Sequence, residues 1–265
     1  MCWTTGTYKA NGIDLHYLRT GGDKPPVVLL HGLMLNGACW TPLAKTLEKD
    51  YDVIMPDARG HGNSSAPEKG YCYDNLATDL LSLIEALGLV NPVVIGHSMG
   101  GMTAAVVASR NPKRLRSVVL ADPPFLTPQR QKEVYESDVA AQHRRVLDRS
   151  REDFLTETRA RHSHRSSELI ELFVQARFQT SIHAFEVLMP PNPDYVKLMN
   201  AIDIPSLLVI GGAGGIVSPE VAAKLARLNQ CLEIAQILEA GHAIPFDQPN
   251  RFSAVVKAFL QSTNA

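Results

Sequence analysis

The stretch Val93-Val94-Ile95-Gly96-His97-Ser98-Met99-Gly100-Gly101 constrains this chain more than any other. It reads as a buried apolar strand, a sharp turn carrying one serine, and the opening of a helix. Gly96 and Gly100 flank Ser98 at the G-x-S-x-G spacing. Such a turn holds its serine in a strained backbone conformation and brings the chain before and after it very close together. Glycine, lacking a Cβ, tolerates that contact at least cost. The hydroxyl then projects over a helix start, where free N–H groups and the dipole favour developing negative charge. An ordinary Gly/Ser turn in a parallel-sheet protein has the same local composition. The nucleophile reading of Ser98 therefore depends on the rest of the chain.

That remainder alternates strands with helices. Thr7 to Thr20 alternates around Asn11-Gly12, a two-residue hairpin signal. Val27–Leu30, Val53–Met55 and Ser117–Ala121 are uninterrupted apolar runs, as expected of strands covered on both faces. Between them lie a helix over Trp40–Lys49 and one with Leu76, Leu80, Leu83, Ile84 and Leu87 on one face, stopping at Gly88. This grammar predicts a mostly parallel, doubly wound sheet. From Pro123 to about Asn200 the strand-like runs vanish and charged helical segments replace them. Alternation resumes at Ser206–Ile210, with a helix over Pro219–Leu228, a strand over Leu232–Ile237 and a last helix over Arg251–Gln261. The expectation is an α/β core built from residues 1–122 and 201–265, with a helical cap over 123–200 inserted after the strand ending near Ala121.

Composition narrows the function classes. The 265 residues suit one large domain with an inserted subdomain. A formal net charge of −1 and a 20% charged fraction show no global bias toward nucleic acid or membrane. No apolar run approaches the roughly 18 residues of a membrane span. Met1-Cys2-Trp3-Thr4-Thr5 has neither a basic nor an apolar leader region, so no secretory signal is expected. Cys2, Cys39, Cys72 and Cys231 lie far apart, as free thiols of a reducing compartment would, and the expected location is the cytoplasm. No G-x-G-x-x-G follows the first strand, which argues against a dinucleotide-binding protein. The stretch Arg144–Arg165 holds seven arginines against four acids and reads as a solvated, salt-bridged helix surface rather than an anion site.

The order of landmarks resembles the α/β-hydrolase superfamily across nearly the whole chain. These are His31-Gly32, then Asp57-Ala58-Arg59-Gly60-His61-Gly62-Asn63-Ser64, then Gly-His-Ser-Met-Gly-Gly, then Gly241-His242. The resemblance implies Ser98 as nucleophile and His242 as its base. It also implies the backbone N–H groups of Leu33 and Met99 as an oxyanion hole, each donor worth about 3–4 kcal/mol. Asp57 and Arg59 are expected to brace loops, and His97 to hold a structural position beside the nucleophile. The acid is ambiguous. The family most often places an aspartate at the position of Gly214, and no carboxylate occurs between Ile204 and Pro219. Some members carry it one strand after the nucleophile strand, where this chain has Asp122. Three readings stay open: Asp122 is the working acid, His242 acts without one, or the usual aspartate was lost.

The expected activity is hydrolysis of a small-molecule carboxylic ester or lactone through an acyl-enzyme on Ser98, with no cofactor and no metal. A nucleophilic serine argues against the dehalogenase and epoxide-hydrolase branches, which attack through aspartate. Alternatives are a carbon–carbon bond hydrolase or lyase on the same scaffold, and an impaired or ligand-binding relative, which Gly214 favours. Nucleic acid and membrane are not expected partners, and a homodimer remains open.

Overall fold

In the computed structural model, which describes residues 3–263, the sequence signals become elements where they are strongest. The expectation for a Cys2 thiol, and the leader reading as far as it rests on Met1 and Cys2, lie outside the described residues. Asn11 and Gly12 take φ of 49° and 77°, the pair of positive values that a two-residue hairpin turn requires. They join β1 (Thr4–Ala10) to β2 (Ile13–Arg19), paired antiparallel from Ala10 opposite Ile13 to Thr4 opposite Arg19. Then come β3 (Pro26–Leu30), α1 (Thr41–Leu47), β4 (Asp52–Pro56), α2 (Tyr73–Ala86), β5 (Val93–His97), α3 (Met99–Arg110) and β6 (Ser117–Ala121). Five helices follow without a strand: α4 (Pro128–Glu136), α5 (Val139–Leu147), α6 (Arg151–Arg161), α7 (Ser167–Phe178) and α8 (Tyr195–Ala201). The chain closes with β7 (Ser206–Gly211), α9 (Pro219–Leu228), β8 (Leu232–Ile237), the short α10 (Ile244–Asp247) and α11 (Pro249–Ser262).

The eight strands form one sheet in the order β1-β2-β4-β3-β5-β6-β7-β8. β1, β2 and β4 pair antiparallel, and every neighbour from β4 to β8 is parallel. The apolar runs are uninterrupted because each strand feeds two cores. Val28, Leu30, Val94, Val118, Leu120 and Leu208 face the side covered by α2, α3, α8 and α9. Val27, Leu29, Ile95, Val119, Leu207 and Val209 face α1 and α11, against Leu47, Phe252 and Phe259. Alternate residues thus leave opposite faces, and neither face meets solvent.

Four of the inserted helices start on a side chain that accepts from a backbone N–H of the first turn: Thr127 for α4, Ser150 for α6, Ser166 for α7 and Asp194 for α8. Each such cap is worth about 1 kcal/mol, which helps helices whose outer faces are charged. α8 packs against α3 and α9, so it sits with the sheet layers rather than over the strand ends. The helix expected over Trp40–Lys49 begins with a 3-10 turn at Gly37–Trp40 and becomes α-helical only at Thr41. Among the described residues no helix is long and apolar enough to cross a membrane. Cys39, Cys72 and Cys231 are free thiols, Cys39 buried and the other two exposed.

Strand order reverses between β3 and β5: β3 is followed outward by β4, β5 by β6. A crevice opens beyond the carboxyl ends of strands at such a point. The loops after β3, β5, β6, β7 and β8 all meet there.

Candidate active site

The elbow after β5 is built from close backbone contacts. A Cβ on Gly96 would lie 2.2 Å from the Gly100 carbonyl oxygen, and one on Gly100 would lie 2.3 Å from that of Leu30. No side chain fits at either position, so both glycines of the G-x-S-x-G spacing are sterically required. Ser98 adopts φ 53°, ψ −119°, a conformation that costs a non-glycine residue on the order of 1–3 kcal/mol. Its N–H donates to the Ala121 carbonyl and its own carbonyl accepts from Met102, locking the turn between β6 and α3.

The structure brings Ser98, His242 and Asp122 together from three separate loops. Ser98 Oγ lies 3.0 Å from His242 Nε2, and His242 Nδ1 lies 2.7 Å from Asp122 Oδ2. Asp122 is fully buried, and its φ of 43° is a second left-handed non-glycine residue in the same site. Its N–H donates to the Val209 carbonyl of β7. Its carboxylate accepts from two further amides: Ile216 N–H at 2.8 Å and Val217 N–H at 2.9 Å. Those amides belong to the Gly211–Val217 loop, the loop with no carboxylate of its own. Gly214 sits there at φ +86°, its Cβ direction 4.0 Å from Gly241 Cα. The loop that lacks an acid therefore solvates the acid one strand over.

Leu33 and Met99 line the same cavity as Ser98. Met99 is the first residue of α3, where an N–H has no helical acceptor. The Leu33 N–H has no protein acceptor among the described residues. The β3 loop approaches the elbow so closely that a Cβ on Gly32 would meet Ser98 Cβ at 3.2 Å. Two buried histidines hold that loop. His31 donates from Nδ1 to the Gly32 carbonyl and accepts at Nε2 from the Ala58 N–H. His61 donates from Nδ1 to the Arg59 carbonyl and accepts at Nε2 from the Met34 N–H at 3.3 Å. Met34 itself has φ 69°. The sequence shows only that these histidines flank glycines; their grip on the loop needs the fold. Asp57 and Arg59 brace as expected: Asp57 accepts from Gly37 and Asn63 N–H, and Arg59 makes a buried bidentate pair with Asp79.

His97 donates from Nε2 to the His242 carbonyl at 2.9 Å and presents its ring 4.8 Å from that of His242. Burial, then the neighbouring His242, pushes its imidazolium form down to about 3. His61 also falls to about 3, through burial first and His31 second. Both rings are therefore neutral when folded and titrate near 6.5 when unfolded. Between those values the unfolded chain binds more protons, so stability is complete above about pH 6.5 and declines as pH falls toward 3. From pH 7 to pH 5 each histidine removes about 2 kcal/mol. The expected result is a clear drop in the urea midpoint at pH 5; an unchanged midpoint would mean that these rings are charged inside the protein.

The cavity over these residues measures about 1030 Å³. Its far wall comes from the inserted helices, including Val134, Val146, Phe154 and Phe173. Phe173 of α7 meets Phe246 edge-on at 5.0 Å, and Phe246 meets His97 at 5.4 Å, so α7 is packed onto α10, just beyond the loop carrying His242. Arg149, Arg161 and Arg165 line the cavity too, although Arg144–Arg165 reads in sequence as a solvated surface. Among the described residues no group of three or more His, Cys, Asp or Glu could hold a metal ion.

The chain is similar to known proteins over nearly its whole length. The N-formylmaleamate deformylase of Pseudomonas putida is 31% identical over 264 residues, covering 96% of each chain. The 3-oxoadipate enol-lactonase 2 of Acinetobacter baylyi is 28% identical over 272 residues, covering 97% of each. The crystal structure of an N-formylmaleamic acid deformylase from Pseudomonas putida S16 superposes with a TM-score of 0.81 at 26% identity, over 96% of this chain and 100% of that one. These relatives are hydrolases, though of different bonds. A family model described as the alpha/beta hydrolase fold matches residues 25–249, from β3 into the start of α11, and the chain belongs to that family.

Proposed function

We propose that this protein is a serine hydrolase that cleaves a small carboxylic ester or lactone through an acyl-enzyme on Ser98. The observation that carries the reading is the continuous hydrogen-bonded line from Asp122 through His242 to Ser98. Asp122, an acceptor only, selects the tautomer of His242 with the proton on Nδ1. That leaves Nε2 as the acceptor facing the serine hydroxyl. On attack, Ser98 Oγ bonds to the substrate carbonyl carbon and its proton passes to Nε2. The carbonyl oxygen takes the negative charge toward the Leu33 and Met99 N–H groups. His242 then gives its proton to the departing alkoxide, and a water deprotonated by the same nitrogen releases the acyl group.

A second reading is hydrolysis of an amide-type carbon–nitrogen bond, which the 31% identity to a deformylase favours. The residues and steps are the same, except that His242 protonates a nitrogen leaving group. The deciding experiment is time-resolved hydrolysis of p-nitrophenyl butyrate, followed by peptide mapping after treatment with a fluorophosphonate. Sustained turnover of order 1–10³ s⁻¹ and a single adduct on Ser98 are expected. A stoichiometric burst followed by silence would show acylation without ester turnover and would overturn the ester reading. No adduct at Ser98 would overturn both readings.

A further inference from the structure

Five arginines line the cavity, and four of them have a carboxylate within ion-pair distance. Arg130 pairs with Glu133, Arg165 with Asp247, and Arg149 and Arg161 both with Glu157. Arg177 has none among the described residues. Its Nε is buried without any hydrogen-bond partner. A guanidinium is a donor only, with five N–H groups in a fixed fork, so an unmatched buried Nε is a site lacking its acceptor. Burial alone pulls Arg177 down to about 10, so it remains charged at neutral pH.

The position suits a ligand rather than a structural partner. Phe173, Val174 and Arg177 all line the cavity, at i, i+1 and i+4 of α7, so one face of this helix looks into it. Phe173 touches Phe246 beside the His242 loop. Arg177 lies one turn further, about 6 Å along the helix axis. We propose that Arg177 is the specificity-determining residue that anchors a carboxylate borne on the substrate a few atoms from the scissile carbonyl. The substrate class is then the monoanionic ester, lactone or amide of a short dicarboxylic acid. Nε and one terminal nitrogen of Arg177 would take the two carboxylate oxygens side by side. This rests on the cavity being the substrate site of a hydrolase.

The test uses full-length Ser98→Ala protein, so that binding is measured without turnover. Hydrogen methyl succinate and neutral dimethyl succinate are titrated calorimetrically into it and into the same protein carrying Arg177→Gln. The expected result is at least a tenfold loss of affinity for the monoanion, with less than a threefold change for the diester. Arg177→Lys, which keeps the charge but not the fork, should fall between them. Without ligand, Arg177→Gln should raise Tm by about 2–4 °C, because it removes an unpaired half-buried charge. A lowered Tm with equal losses for both esters would make Arg177 a structural residue and overturn the proposal. So would monoanion affinity that is absent, or indifferent to Arg177. If the unsubstituted protein turns over no ester and takes no fluorophosphonate adduct at Ser98, the serine-hydrolase reading fails, yet this comparison still decides the role of Arg177.

Discussion

Ser98→Ala is expected to lower kcat on p-nitrophenyl butyrate by a factor of about 10⁵–10⁶, with the far-UV circular dichroism remaining that of the folded protein. The size follows from the concerted use of the site. Where nucleophile and base act as one unit, removing the nucleophile costs nearly as much as removing the whole triad, about 2 × 10⁶ in a well-studied serine protease. Activity above the uncatalysed rate, some 10³–10⁴-fold, survives there through the oxyanion hole and substrate binding. Here the Leu33 and Met99 amides are positioned by backbone and by His31 and His61, not by the serine hydroxyl. They should persist in the variant. A variant retaining activity within tenfold of the parent would show that the nucleophile is not Ser98.

What could be read in the sequence, and what could not, divides along the range of the interactions. The Asn11-Gly12 hairpin and the two-faced strands are set by neighbours a few residues apart, and the elbow shows itself in the Gly96–Ser98–Gly100 spacing even though Leu30 and Ala121 complete its packing. They appear at their expected places because local sterics and burial period determine them. The acid is ambiguous in the sequence for the opposite reason. Asp122 is 120 residues from His242 and more than 90 from the Ile216 and Val217 amides that receive it, so no spacing can reveal the match. The Gly211–Val217 loop reads as a gap in sequence, whereas in the fold it is the acid's hydrogen-bonding partner. Arg177 is equally hidden in the sequence. Sequence singles out Arg144–Arg165 only by its count of arginines, whereas the fold singles out Arg177, whose buried Nε has no hydrogen-bond partner and which makes no ion pair among the described residues.

Asp122→Asn is expected to reduce kcat by about 10⁴, or roughly 5 kcal/mol of transition-state stabilisation, with little change in KM. The surrounding amides fix the direction of the effect. Ile216 and Val217 both donate toward the side chain at this position, so an asparagine must present its oxygen to them. Its NH₂ then faces His242 Nδ1 and donates to it. This forces the imidazole proton onto Nε2, where it points at Ser98 and cannot accept the serine proton. Stopped-flow hydrolysis of p-nitrophenyl butyrate measures the loss directly. Gly214→Asp provides the counter-test in the unsubstituted chain. Position 214 has room for a side chain, with only Gly241 Cα at 4.0 Å, and aspartate tolerates a left-handed backbone better than most residues. With Asp122 already bonded to Nδ1, a second carboxylate has no vacant nitrogen to serve and should not raise kcat. A large gain from Gly214→Asp, or near-full activity of Asp122→Asn, would mean that Asp122 is only a loop anchor and that His242 works without an acid.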